Sequence, residues 1–196
     1  MNFPFSEDII LENEAALLRP LQIADVEHLL QVATEDKDLL QFSPAQIYSE
    51  ELLKKYIERS IADRQNGMRY SFSIFDKRKR SYAGSSSFLN IANVDSRLEI
   101  GATWIGNTFQ KTGLNRSCKF LLLDFAFTRL GAARVELKTD ERNLASRQAI
   151  EKTGAQYEGT LRSHMLMPDG YRRNTACYSI LKEEWAGLKV NFLRTV

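Results

Sequence analysis

The spacing of apolar residues changes twice along this chain, and those changes restrict its fold more than any other feature. From Asp25 to Asn66 the apolar positions follow helical intervals, from Tyr70 to Ile105 they alternate, and after Gly113 the two patterns take turns. Strands joined first by tight turns and later through helices imply an α/β fold of the α+β type: a mixed, largely antiparallel sheet with helices packed on it. The 196 residues suffice for one such domain with a sizeable core, so the expectation is a single domain over 1–196.

Leu17 to Leu21 reads as a short strand, with Pro20 at its edge or end. Asp25 is placed to cap a helix carrying Val26, Leu29, Leu30 and Ala33. Ser49 is placed to cap a second, with Leu53, Ile57 and Ile61 as its stripe and Asn66-Gly67 as its stop. Three strands follow. Tyr70, Phe72 and Ile74 share one face of the first, the charged turn Asp76 to Arg80 leads into Tyr82 to Leu89, and the third runs from Leu98 to Ile105. Alternation along that third strand puts Leu98, Ile100, Ala102 and Trp104 on one face and Glu99, Gly101, Thr103 and Ile105 on the other. A helix from Gly113 to about Leu130, a strand from Arg134 to Thr139 and a helix from Asn143 to Thr153 come next. Two strands between Tyr157 and Leu181, turning at Pro168-Asp169-Gly170, complete about seven strands and four main helices.

Hydrophobic content of 43% and charged content of 27% are ordinary for a globular protein. A net charge of +2 gives no reason to expect nucleic acid or a membrane surface, and no apolar run nears the roughly 20 residues of a membrane helix. Met1 to Asp8 lacks the basic and apolar regions of a signal peptide, so a cytoplasmic location is expected. Cys118 and Cys177 lie in apolar patterns and read as buried free thiols. Without Cys-x-x-Cys, and with two histidines, no metal site is expected. Lys77-Arg78-Lys79-Arg80 has no aromatic residues interleaved and reads as a solvated turn.

Gln110-Lys111-Thr112-Gly113-Leu114-Asn115 stands between a strand pattern and a long helix pattern. A glycine turn that opens a helix leaves main-chain N–H groups unpaired beside the positive end of the helix dipole, which together make a phosphate site. A Rossmann loop is excluded because Gly113 is the lone glycine at the turn. A Walker loop is excluded because Asn107, not lysine, follows Gly106.

The third scheme fits. Gln110-x-x-Gly113-x-Asn115, following Glu99-Ile100-Gly101-Ala102-Thr103-Trp104-Ile105, resembles the main cofactor motif of the GNAT superfamily of acyl-CoA N-acyltransferases, Gln/Arg-x-x-Gly-x-Gly/Ala. Asn115 replaces the family's small residue. Asn143-Leu144-Ala145-Ser146, with Ile150, Glu151, Lys152 and Gly154 behind it, resembles the second cofactor motif. The likeness extends from about Leu17 to Leu181 and includes the element order. Its Asn-x-x-Ser form is similar to the ribosomal-protein N-terminal acetyltransferase (RimJ/RimL-like) branch. The resemblance implies acetyl-CoA as co-substrate, no metal, and direct transfer to a primary amine, either a protein N-terminus or a small amine. It implies that Gln110, Lys111, Thr112, Gly113, Leu114 and Asn115 hold the pyrophosphate, that Trp104 and Ile105 border the pantetheine, and that Asn143 and Ser146 meet the cofactor's arm and sulfur. A homodimer is compatible with that branch.

Acetyl transfer to an amine needs a proton acceptor, stabilisation of the thioester oxygen and protonation of the leaving thiolate. Glu99, on its strand beside Gly101 and Thr103, is the candidate base, directly or through a water, and its place eleven residues before Gln110 is similar to that of the base glutamate in several GNAT enzymes. The competing reading is a surface carboxylate on a half-exposed strand. Ser146 is the candidate to protonate or hydrogen-bond the sulfur; the competing reading is a helix-capping serine. The tyrosine that many relatives carry seven positions after the asparagine is Ile150 here, which closes that route. Cys118, on a core-facing stripe, is set aside as a nucleophile. Arg162, His164, Arg172 and Arg173 flank the late hairpin, where an acceptor pocket is one reading. Two other functions compete: a non-catalytic acyl-CoA-binding or regulatory module, and an RNA-binding domain using the basic turn.

Overall fold

The computed structural model describes residues 1–193. Eight strands, β1 (Leu11–Glu12), β2 (Ala16–Pro20), β3 (Tyr70–Asp76), β4 (Ser81–Ala92), β5 (Arg97–Ile105), β6 (Arg134–Asp140), β7 (Gln156–Leu166) and β8 (Arg172–Leu181), form one sheet in the order β1-β2-β3-β4-β5-β6-β8-β7. β5 and β6 run parallel and every other neighbouring pair antiparallel, so the mixed, largely antiparallel sheet is as expected. The helices are α1 (Asp25–Thr34), α2 (Glu50–Gln65), α3 (Leu114–Asp124), α4 (Leu144–Glu151) and α5 (Lys182–Leu193). β1 and α5 were not expected: β1 is two residues long, and α5 spreads its apolar residues around its axis.

Local signals set several boundaries. Ser49 caps α2, its Oγ accepting the Leu52 amide at 3.3 Å, and Gly67 ends that turn at φ +69°. Asp25 does not cap α1. It is fully buried, accepts from both terminal nitrogens of Arg19 at 3.0 and 2.5 Å and from the Gln22 amide at 2.9 Å, and Ala24 holds the cap position. The helix after Gly113 is α-helical to Asp124 and continues as a π turn over Phe125–Arg129.

The two faces of the sheet differ. One carries Tyr70, Phe72, Phe88, Leu98, Ile100, Val135, Leu137, Tyr178 and Ile180, all buried, and packs against α3, the π turn, α4 and α5. The other presents Ser71, Ser73, Ser85 and Ser87 under α1 and α2, and small hydroxyl residues let those helices approach closely.

A bulge in β5 changes what each face receives. Ser87 pairs with Gly101 and Ser85 with Trp104, so Ala102 and Thr103 together oppose Ser86, and Ala102 takes φ +45°. The expected alternation therefore fails after Gly101. Trp104 joins the face of Glu99 and Gly101, where its ring meets Tyr56 of α2 at 6.5 Å, edge to face. Thr103 turns the other way and hydrogen-bonds Ser86 at 2.8 Å and Lys119 of α3 at 2.7 Å.

Candidate active site

β5 and β6 are paired from Arg97–Arg134 to Glu99–Glu136 and no further, although β5 continues to Ile105 and β6 to Asp140. A bulge bends its strand and sharpens the local twist, and here it follows the last shared pair by three residues. The result is a wedge in the middle of the sheet, walled by main-chain groups that have lost their neighbour strand. Both strands run toward the same edge, so the starts of α3 and α4 flank the mouth of the wedge.

At the mouth, Gly113 precedes α3 at φ +89°, with no side-chain cap on the helix. A Cβ there would meet nothing within 4 Å, so the turn opens onto free space. Lys111 is also left-handed, at φ +59°. The amides of Lys111, Thr112, Gly113 and Asn115 find no acceptor at hydrogen-bond distance within normal limits among the described residues. The rest of the loop is braced. Gln110 donates to Ile105 O and Asn107 Oδ1, both at 3.0 Å, and Thr112 Oγ1 donates to Phe109 O at 2.7 Å. Gln110 therefore shapes the turn with its side chain rather than reaching outward. The Asn115 carboxamide oxygen is buried without a partner among the described residues.

The basic turn after β3 is exposed over Lys77 to Arg80, as expected, and its lysines are tied to the main chain. Lys79 donates to Thr108 O at 2.5 Å and lies 4.8 Å over the Phe109 ring, and Lys77 donates to Asn13 O at 3.0 Å. Arg78 and Lys79 line a cavity of about 130 Å³ with Thr112 and Leu114, beside the glycine turn.

Glu99 lies at the apex of the wedge and is 7% exposed, which removes the surface-carboxylate reading. Its Oε2 accepts from Asn90 Nδ2 and Lys138 Nζ, both at 2.9 Å. A Cβ on Gly101 would come within 3.0 Å of Glu99 Oε1, so glycine is what gives that oxygen room. One carboxylate oxygen is thus fixed by two donors and the other faces the gap left by Gly101. Burial works against the Lys138 charge, but its bonds to Glu136 and Glu99 outweigh that and hold its pKa above the usual lysine value.

At the other side of the mouth, Asn143 caps α4, its Oδ1 accepting the Ser146 amide at 3.0 Å. The cap is the asparagine, so Ser146, half-buried in the first turn, is not needed for that task. Cys118 is fully buried and burial pushes its thiol up to about 12, which leaves no thiolate for covalent chemistry near neutral pH. Cys177 is also free, though only half-buried where full burial was expected.

Of the four basic residues around the late hairpin, Arg173 alone is buried; Arg162, His164 and Arg172 are exposed. Arg173 shares the Glu99 face. It donates to Thr175 Oγ1 at 3.0 Å and to Phe42 O at 3.2 Å, tying the α1–α2 connection to β8. Arg142, above it, stacks 3.8 Å over Tyr171 and bonds the buried Asp140 at 2.8 Å. Past β5 that face continues as an open groove of about 420 Å³ lined by Arg134, Glu136, Lys138, Glu158, Thr160, Leu161 and Cys177, among others.

Sequence reasoning named Arg173 but missed Asn90, Glu136 and Lys138. A signal for two of them was present: Arg134, Glu136 and Lys138 alternate with Val135, Leu137 and Thr139, marking a strand with one charged face in the interior of a sheet.

Comparison with known proteins bears on this arrangement. The family model described as an acetyltransferase (GNAT) domain matches residues 16–156. A Bacillus subtilis protein named "Putative ribosomal N-acetyltransferase YdaF" is 29% identical over 185 residues, covering 90% of this chain and 97% of that one. A Bacillus licheniformis protein named "Uncharacterized N-acetyltransferase p20" is 26% identical over 178 residues, covering 90% of this chain and 98% of that one. The crystal structure of a GCN5-related N-acetyltransferase from Brucella melitensis superposes with a TM-score of 0.88 at 25% identity, covering 97% of this chain and 86% of that one.

Proposed function

This chain belongs to the GNAT acetyltransferase family, and from that premise we propose that it moves an acetyl group from acetyl-CoA to a primary amine by direct transfer within a ternary complex. The observation that carries the reading is the wedge between β5 and β6, with an uncapped glycine turn at its mouth and a held carboxylate at its apex. The thioester supplies an acyl group already activated for attack. The unpaired amides of Lys111, Thr112, Gly113 and Asn115 are suited to the CoA pyrophosphate, and the free edge of β5 at Trp104 and Ile105 offers strand-type hydrogen bonds to the pantetheine amides.

Glu99 acts as the base through Oε1, taking a proton from the amine as the N–C bond forms. The C–S bond breaks, and the Ser146 hydroxyl donates to the sulfur as thiolate charge develops. Both acids and bases are then provided without a covalent enzyme species. The acceptor is read as a peptide or protein N-terminus, because the groove lined by Glu136 and Lys138 beside the Glu99 pairing is open rather than closed around a small molecule, and because the Bacillus subtilis relative is named a putative ribosomal N-acetyltransferase.

Calorimetry with CoA and a thiol-release assay against peptides and small amines test this reading. Glu99→Gln should lower turnover by roughly 10²-fold or more with CoA affinity intact. Absence of heat with CoA would remove the proposal, and CoA binding without turnover on any acceptor would leave a binding module in its place.

A further inference from the structure

We propose that Lys138 is a positioning residue for this reaction: its ammonium bridges Glu99 to Glu136, aims the base and keeps it ionised against the charge of the second carboxylate. The inference rests on the reading of Glu99 as the base.

Glu99 and Glu136 are direct partners in the parallel register of β5 and β6, on the same face of the sheet. A buried and a half-buried carboxylate on neighbouring strands repel each other, and a like charge at that range favours protonation of one of them. Lys138 lies between them, 2.9 Å from Glu99 Oε2 and 2.7 Å from Glu136 Oε2. Their cation supply is unequal. Glu136 is also met by Arg134 at 3.2 Å and Arg97 at 3.8 Å, whereas Lys138 is the one cation paired with Glu99 among the described residues. Loss of the Lys138 charge therefore leaves Glu136 with two paired cations and Glu99 with none, so Glu99 bears the larger consequence.

Other charged and titratable groups face the pair without replacing that contact. Cys177 and Arg173 approach from β8 and Glu158 from β7, Asn90 of β4 supplies a neutral donor, and Lys119 of α3 acts on Glu99 through the sheet from its opposite face. Arg173 and Lys119 both favour a negative Glu99, but each hydrogen-bonds elsewhere, to Thr175 and Thr103.

The test is the pH dependence of kcat/KM for wild type, Lys138→Met, Lys138→Gln, Lys138→Arg, Lys138→Met/Glu136→Gln and Glu99→Gln, with CoA affinity measured alongside. Without the ammonium the acid limb of Lys138→Met should move up by about one pH unit or more, with activity recovering at high pH and CoA affinity unchanged. Lys138→Gln keeps a donor and loses the charge; it should move the limb likewise, and it serves if the Met variant does not fold. Lys138→Arg should restore most of the wild-type limb, and Glu136→Gln in the Met background should bring it part of the way back. A uniform loss at every pH, or a limb unaffected by the second substitution, overturns the proposal. If Glu99→Gln abolishes the acid limb while neither neutral Lys138 variant moves it, this inference alone fails. If Glu99→Gln keeps the limb, the base is another group and the underlying reading fails with it.

Discussion

The two helix starts that flank the wedge are built on opposite principles. α4 begins at Asn143, whose carboxamide oxygen satisfies the Ser146 amide at 3.0 Å. α3 begins at Gly113, left-handed and without a side-chain cap. A cap contributes about 1 kcal/mol to a helix, so α3 forgoes stability that α4 keeps. On the proposed function the difference separates the helix end that receives the cofactor from the one that does not: donors satisfied internally are lost to a phosphate, and donors left open in free space are available to it. α3 bears a second cost. Lys119 is buried against a neutral partner, Thr103, and burial lowers its pKa to about 8.

The sharpest way to break this contrast is to close the open end. Gly113→Val should weaken CoA binding by about 100-fold, roughly 2.8 kcal/mol, by forcing a β-branched residue into a left-handed turn and covering its amides. Gly131 has a similar backbone, φ +68° with nothing within 4 Å of a Cβ. Gly131→Val should therefore cost a comparable 1–2 kcal/mol or so of stability without affecting CoA affinity. Equal loss of affinity in both variants, followed by calorimetry, would mean that α3 has no privileged end.

Ser146→Ala comes next. Turnover in the thiol-release assay should fall about 10-fold, a modest acid contribution, with the melting temperature nearly unchanged because Asn143 supplies the cap. An undiminished rate would take the hydroxyl out of the chemistry. Asn143→Ala should do the reverse, removing about 1 kcal/mol of stability while CoA affinity changes little. A large affinity loss there would show that α4 too spends its first residue on the cofactor.

The smallest effect concerns the buried ammonium. Below about pH 8 folded and unfolded chains both carry the Lys119 charge, and the folded one bears the full burial cost. Between about pH 8 and 10.5 the folded chain is neutral there while the unfolded chain is still protonated, so wild type gains stability as pH rises. Lys119→Met should be more stable by about 1 kcal/mol at pH 7, and its advantage should shrink across that window in chemical denaturation. Cys118, raised to about 12, pulls stability the opposite way with pH but is common to both proteins and cancels in the difference. A constant difference across that range would show that Lys119 does not titrate there.

Much of this was legible in the residues. Period changes located the strands from Tyr70 to Ile105, Ser49 and Gly67 bounded α2, and one glycine after a strand marked the open helix end, because these are local backbone preferences. Glu99 was found by its distance from the loop. Its environment was not. Asn90 and Lys138, which hold it, are 9 and 39 residues away and meet it only through strand register. Trp104 was assigned to the wrong face because strict alternation was carried through Gly101, an interior strand glycine that borders the bulge at Ala102, and period-two reasoning shifts by one side past any bulge. Asp25 looked like a cap because its partner Arg19 comes from the adjoining strand.

The residues alone determined the order of elements from β2 to β8, the mixed sheet and the place of the open glycine turn, since each depends on short-range periodicity or on the backbone freedom of a single glycine. Tertiary structure decided where β5 leaves β6, which side chains enter the gap, and which of two neighbouring carboxylates has a single counter-ion. Those outcomes depend on pairing between distant segments, and a one-residue offset in that pairing reverses every face that follows it.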